Sequence, residues 1–249
     1  MTRHAGLAGF VLALAAGSGA GAAPLLGDDV TDPVIEVGMT TGLVQMGRLN
    51  GGPADGELVV EASAERALSE RLMVVAGLEL GGEPGAGTRL EAFNLEAQVY
   101  LGRIPGLGVD VGLIGEYVQP VHNEAGAAEV SLLLGRDFGP VRGRFNLVAE
   151  QPFTDRAGEG AMAFAYSAQA AWPLREGLEI GLQAYGDLGD NRDFGARNGT
   201  YVGPMIAWEA ELQGETAFSV EGAYLAALGR ARDESDGELR LMLELERRF

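Results

Sequence analysis

Apolar and polar residues alternate along almost the whole chain. From position 239 to the end, Leu239, Leu241, Leu243 and Leu245 share one side with Phe249, and Arg240, Met242, Glu244, Glu246 and Arg248 share the other. A period of two is the period of a β-strand, whose successive side chains point to opposite faces; an amphipathic helix needs 3.6. The same alternation runs through Leu72, Val74, Ala76, Leu78 and Leu80. It returns at Phe93, Leu95, Ala97, Val99 and Leu101, with Asn94, Glu96, Gln98 and Tyr100 between them. About twelve such segments follow one another, near 34–46, 56–66, 71–81, 89–101, 108–119, 127–136, 140–151, 161–172, 177–187, 200–210, 216–228 and 238–249. A strand in a soluble protein averages about 5–6 residues. Segments of about 10–13 residues instead match the roughly 9–11 that a tilted strand needs to cross a bilayer. The expected fold is all-β: an antiparallel up-and-down transmembrane β-barrel of about 12 strands.

The connections point the same way. Counted from the first strand, the even-numbered turns are compact, at 66–70, 102–107, 137–139, 173–176 and 211–215. The odd-numbered ones are longer, polar and glycine-rich, at 47–55, 82–87, 120–126, 152–160, 188–199 and 229–237. Short turns at one end and long loops at the other are the arrangement of outer-membrane barrels. An even strand number puts both termini on the short-turn side, expected to be periplasmic. Trp172, Phe218 and Phe249 fall at short-turn ends with lipid-facing parity, and Tyr117 and Tyr201 at the opposite ends, as two aromatic girdles would require.

Residues 1–22 read as a secretory signal peptide. Arg3 and His4 precede an apolar stretch from Leu7 to Ala16, and Ala20-Gly21-Ala22 forms a small-residue cleavage site before Ala23. The apolar run is well short of the roughly 20 residues of a spanning helix. The expected division is a signal peptide at 1–22, a short periplasmic leader at 23–33, ended by Pro33, and the barrel at 34–249.

Composition closes off other classes. The chain has no Cys, so disulfides and thiolate metal sites are excluded. All 18 basic residues are Arg, so lysine-dependent phosphate loops and Schiff bases are excluded. The formal charge of −18, or −19 once the signal's one Arg is removed, excludes a nucleic-acid partner.

The C-terminal strand, Leu241, Leu243, Leu245 and terminal Phe249, resembles the sorting signal of Gram-negative outer-membrane β-barrels. That resemblance implies outer-membrane lipid, lipopolysaccharide and the outer-membrane assembly machinery as partners. Arg247 departs from the pattern, which more often has an aromatic or apolar residue there. Tyr201-Val202-Gly203-Pro204, Trp208 and Leu239-Arg240-Leu241 are loosely similar to uncharacterised barrels of the transporter or phenol-degradation MetA-pathway type; no functional residue carries over.

The strand faces differ in polarity. The inner face is expected to carry Glu79, Asn94, Gln98, Asn146, Gln169, Gln183 and Glu246, and eleven lumen or selectivity candidates: Glu96, Asp110, Glu116, Glu129, Arg142, Arg144, Glu150, Glu179, Glu221, Arg240 and Glu244. Burying so many charges in a dry core would cost several kcal/mol each, so the inside is wet and the outside apolar. Arg142 and Arg144 suit either a charged constriction that selects solutes or an Arg–carboxylate ladder that braces or plugs the interior. His122 lies in an outer loop without a nucleophile two residues away, and the acidic loops at 187–193 and 230–238 lack the spacing of a calcium loop. No catalytic, metal or cofactor role is expected. The functional expectation is a small passive channel or transporter for small solutes with a net acidic, cation-preferring lumen; the alternative is a closed structural or adhesive barrel whose outer loops do the work.

Overall fold

A computed structural model describes residues 30–85, 87–122, 125–154, 160–195, 199–212 and 214–248. The expected signal peptide, most of the leader, and Phe249 of the sorting signal lie outside these residues. Twelve strands follow in order: β1 Met39–Asn50, β2 Leu58–Ser69, β3 Leu72–Glu83, β4 Gly87–Ile104, β5 Val109–Pro120, β6 Ala127–Phe138, β7 Val141–Pro152, β8 Ala163–Arg175, β9 Leu178–Asp190, β10 Gly199–Glu211, β11 Thr216–Gly229 and β12 Gly237–Arg248. Each pairs antiparallel with its sequence neighbours, and β1 pairs with β12 from Met39↔Arg248 to Asn50↔Gly237. The sheet is therefore a closed up-and-down barrel without a free edge. No α-helix occurs among the described residues; Arg230–Asp233 forms a single 3-10 turn in the last long connection.

The alternation read from sequence sets which side of the wall each residue occupies. Leu239, Leu241, Leu243 and Leu245 are exposed on the outside, Leu245 at 50%, while Arg240, Met242 and Glu244 are buried inside. The lumen face of β2 adds Glu61 and Glu65.

Several strand ends shift by a few residues, and two differences stand out. β1 begins at Met39, not near residue 34, because 34–38 stay out of the sheet, held by contacts that residues 32–35 make inside the barrel. The β3–β4 hairpin is tighter than expected, since pairing continues to Glu83↔Gly87. The other outer connections remain the long ones.

Candidate lumen passage

The strand register assembles the acidic candidates into one row. Glu96 of β4 lies opposite Glu116 of β5, Glu116 opposite Glu129 of β6, and Glu129 opposite Glu150 of β7. Neighbouring strands are about 4.8 Å apart, so the four carboxylates form a stripe perpendicular to the strands and oblique to the barrel axis. Like charges directly opposite one another destabilise a sheet, and three consecutive pairs of this kind occur here. All four residues are buried, Glu96 at 6% exposure. Glu61 and Glu79 make a further opposed pair on β2 and β3.

Neutral donors support part of this array. Ser131 Oγ donates to Glu129 Oε1 at 3.0 Å. Gln45 Nε2 and Asn94 Nδ2 donate to the two oxygens of Glu61 at 2.8 and 3.0 Å. Ser219 Oγ donates to Glu244 Oε2 at 3.2 Å, and Gln169 and Gln183 donate to Glu221. Both carboxylate oxygens of Glu96, Oε1 of Glu65, Oε1 of Glu244, Asn94 Oδ1 and Gln98 Oε1 are buried with no hydrogen-bond donor from the protein. These atoms are all acceptors, while Arg142 Nε and the Ser63 hydroxyl are buried without a hydrogen-bond partner as well.

The arginines are engaged. Arg142 pairs with Glu179, and Arg240 lies 3.8 Å from Glu238 with its guanidinium 5.5 Å from the Tyr185 ring centre. Asp110 accepts from Tyr100 Oη at 2.7 Å and lies 4.0 Å from Arg103. Arg144 binds Asp32, its Nε 2.9 Å from Oδ2. Of the two readings for Arg142 and Arg144, the geometry matches ion-paired braces within the barrel.

Asp32 belongs to the segment expected as a periplasmic leader, and its described part, 30–33, lies inside the barrel. Gln98 Nε2 donates to the Asp32 carbonyl at 2.8 Å. Pro33 rests on two lumen-facing glycines of adjacent strands: a Cβ on Gly112 would meet Pro33 Cα at 3.2 Å, and one on Gly135 would meet Pro33 Cγ at 2.9 Å. Ile35 is buried against Leu43, Ala67, Met73, Val75 and Met242. These lining residues sit toward the short-turn ends of their strands. Residues 30–38 therefore form a strap across the short-turn mouth, held inside by the Asp32–Arg144 ion pair, the Gln98 hydrogen bond and the Ile35 anchor, and at the rim by the Glu36–Arg248 ion pair.

The opposite wall carries an apolar cluster at its long-loop end. Leu49, Tyr185, Tyr201, Met205, Ala207, Ala223, Leu225 and Ala227 pack with Ala231 of the 3-10 turn, which folds inward from the last connection. Tyr201 is only 1% exposed, so it is not a girdle residue. It stacks on Tyr185 at 5.0 Å, and its hydroxyl lies 2.9 Å from Ser235 Oγ. The correction has a simple cause: β10 is apolar on both faces, so alternation there does not say which face is inward. Tyr117 and Trp172 are exposed on the outside, as girdle positions require.

Sequence reasoning missed Glu61, Glu65 and Glu238 as lumen residues, although each keeps the parity of its strand. It missed Asp32 altogether. His122 is exposed, while Ser131 is 0% exposed inside the lumen. In the acidic outer loop, Asp187 accepts from the Gly189 backbone N at 2.5 Å, and Asp190 from those of Arg192 and Asp193 at 2.8 and 2.9 Å, so these carboxylates order a turn. Among the described residues no three His, Asp or Glu side chains come together as a metal site.

The closed barrel with polar side chains inside and an apolar exterior is the architecture of a membrane-spanning barrel. Its solved likenesses are outer-membrane proteins of Gram-negative bacteria. An outer membrane channel from Pseudomonas putida F1 matches at a TM-score of 0.57 and 12% identity, over 86% of this chain and 97% of that one. The KdgM porin, solved with disordered oligogalacturonate, matches at a TM-score of 0.53 and 6% identity, over 84% of this chain and 99% of that one. No family model and no curated protein matches the sequence.

Proposed function

We propose that the chain is an outer-membrane barrel, delivered by a cleaved signal peptide, that passes small solutes passively and prefers cations. Its short turns and strap face the periplasm, and its long loops face lipopolysaccharide. The observation that carries this reading is the registered row Glu96–Glu116–Glu129–Glu150 on the lumen wall. A band of carboxylates in a low-dielectric passage lowers the barrier for cations and raises it for anions. The fold's likeness to an outer membrane channel and a porin supports the reading. In the conformation described, the strap and the inward-folded 230–236 connection narrow the two mouths.

Planar-bilayer recordings in a potassium chloride gradient test this. The expected reversal potential has the sign of cation preference, in the parent and more readily in Asp32→Ala, where the strap is loosened. It moves toward zero in the Glu96→Gln, Glu116→Gln double variant. Anion preference in all three proteins would refute the reading.

The second reading, a closed barrel whose loops are the working surface, is favoured by the deep burial of the lumen carboxylates and by the strap itself. Absence of conductance steps even from Asp32→Ala would select it.

A further inference from the structure

The outer surface carries a feature that conduction does not use. Arg247, the residue out of place in the C-terminal strand pattern, stands in register with Thr40 of β1, and Thr40 stands in register with Arg66 of β2. On the other side Arg247 registers with Thr216 of β11. Arg66 and Arg247 are exposed, and Thr40 and Thr216 are half-buried. All four keep the outward parity of Val44, Leu243 and Leu245, so they form one row on the outside of the barrel, spanning its β1–β12 seam.

Arg66 donates from one guanidinium nitrogen to Thr40 Oγ1, which holds the side chain over the row. The two arginines are two strand steps apart, about 10 Å, a gap that two side chains of this length can bridge from either side. Every acid on these four strands, Glu61, Glu65, Glu221, Glu238, Glu244 and Glu246, alternates to the lumen face. The outward row thus holds two guanidinia and two hydroxyls, and no acid of these four strands shares that face. The adjoining Glu36 is taken up by Arg248.

One register step toward mid-strand, the row becomes Ala64, Gly42, Leu245 and Phe218. Gly42 has open space where a side chain would stand. Gly42 and Ala64 make a shallow trough bordered on its β12–β11 side by the larger Leu245 and Phe218. A forked cationic row at the short-turn rim, continued into an apolar trough, matches a phosphodiester headgroup and its acyl chain. Arginine is tolerated on a lipid-facing strand near the headgroups and not at the midplane, and its planar fork suits phosphate oxygens.

We propose that Arg66, Thr40, Arg247 and Thr216 form a binding site for an anionic phospholipid of the periplasmic leaflet, with the acyl chain along Gly42 and Ala64. The assignment rests on the membrane placement given above, with the short-turn end in the periplasm, and is independent of whether current flows.

Native mass spectrometry of the full barrel in detergent micelles tests it, with phosphatidylglycerol, phosphatidylcholine of the same acyl chains, and glycerol phosphate as probes. Heat-modifiable gel migration verifies that each variant is folded. The expected result is retention of phosphatidylglycerol at a concentration at least tenfold below that needed for phosphatidylcholine. That preference is lost in Arg66→Gln, Arg247→Gln and kept in Arg48→Gln, whose arginine faces outward at the other end of β1. Should the double variant not fold, Thr40→Val with Thr216→Val is expected to weaken the preference several-fold. Equal retention of the two lipids, an unchanged double variant, or an equal loss in Arg48→Gln would overturn the proposal. Glycerol phosphate binding as tightly as the lipid would overturn it too, by reducing the site to an anion site. Intact lipid preference in a barrel that carries no current would strike only the channel reading.

Discussion

The strap makes a quantitative demand on Asp32. Its carboxylate accepts from Arg144 Nε at 2.9 Å and from a second nitrogen of the same guanidinium. Both side chains are largely shielded from solvent, at 15% and 8% exposure. A charge-assisted bond of this kind contributes about 1.5–3 kcal/mol. Asp32→Ala removes it and also leaves Arg144 unpaired beneath the strap, a cost that acts in the same direction, so the loss is at least of this order. A loss of about 2 kcal/mol raises the released population roughly thirtyfold, since each 1.4 kcal/mol is tenfold. The chain has no cysteine, so Thr31→Cys places a single thiol on the strap at a position 2% exposed. When labelling is slow relative to opening and closing, its rate follows the released population. The measurement is the labelling rate of Thr31→Cys by a water-soluble maleimide, with and without Asp32→Ala, in the folded barrel in micelles. The expected ratio is about thirty, with Arg144→Gln giving a comparable increase. A ratio within about twofold of one would refute the reasoning, because the ion pair would then not be what holds the strap.

Two further outcomes follow from the wall. Val44 faces outward near the middle of β1 and is 43% exposed; Val44→Arg is expected to cost about 2–4 kcal/mol in urea-dependent folding into lipid vesicles, and an unchanged midpoint would argue against a lipid-facing exterior. Leu225 is 0% exposed in the apolar cluster that receives Ala231; Leu225→Ala is expected to cost about 2–5 kcal/mol in the same measurement, with the 229–237 connection becoming susceptible to protease.

What was legible in the sequence followed from contrast between the two strand faces. On β12, Leu alternates with Arg, Met and Glu, so both the strand and its inward face can be read directly. Along β4 to β7 the same contrast exposes Glu96, Glu116, Glu129 and Glu150, although their row appears only when the register is known, because hairpin register depends on turn length and bulges such as that at Tyr100/Gly102. On β10 the contrast vanishes: Tyr201, Met205 and Ala207 line the interior while Pro204, Ile206 and Trp208 face outward, and a period of two between two apolar sets carries no direction. The strap has no period at all. Its ion pair joins positions 112 residues apart, and nothing in the sequence around Asp32 announces a partner on β7. One trace does exist on the receiving side. Gly112 and Gly135 occupy lumen positions on adjacent strands, where glycine weakens a strand and often marks the close approach of another backbone. The approach is that of Pro33, within 3.2 Å of where a side chain on Gly112 would begin. Glycines at neighbouring inner positions of adjacent strands are therefore a sequence-level sign that a segment enters the lumen, even when that segment cannot itself be identified.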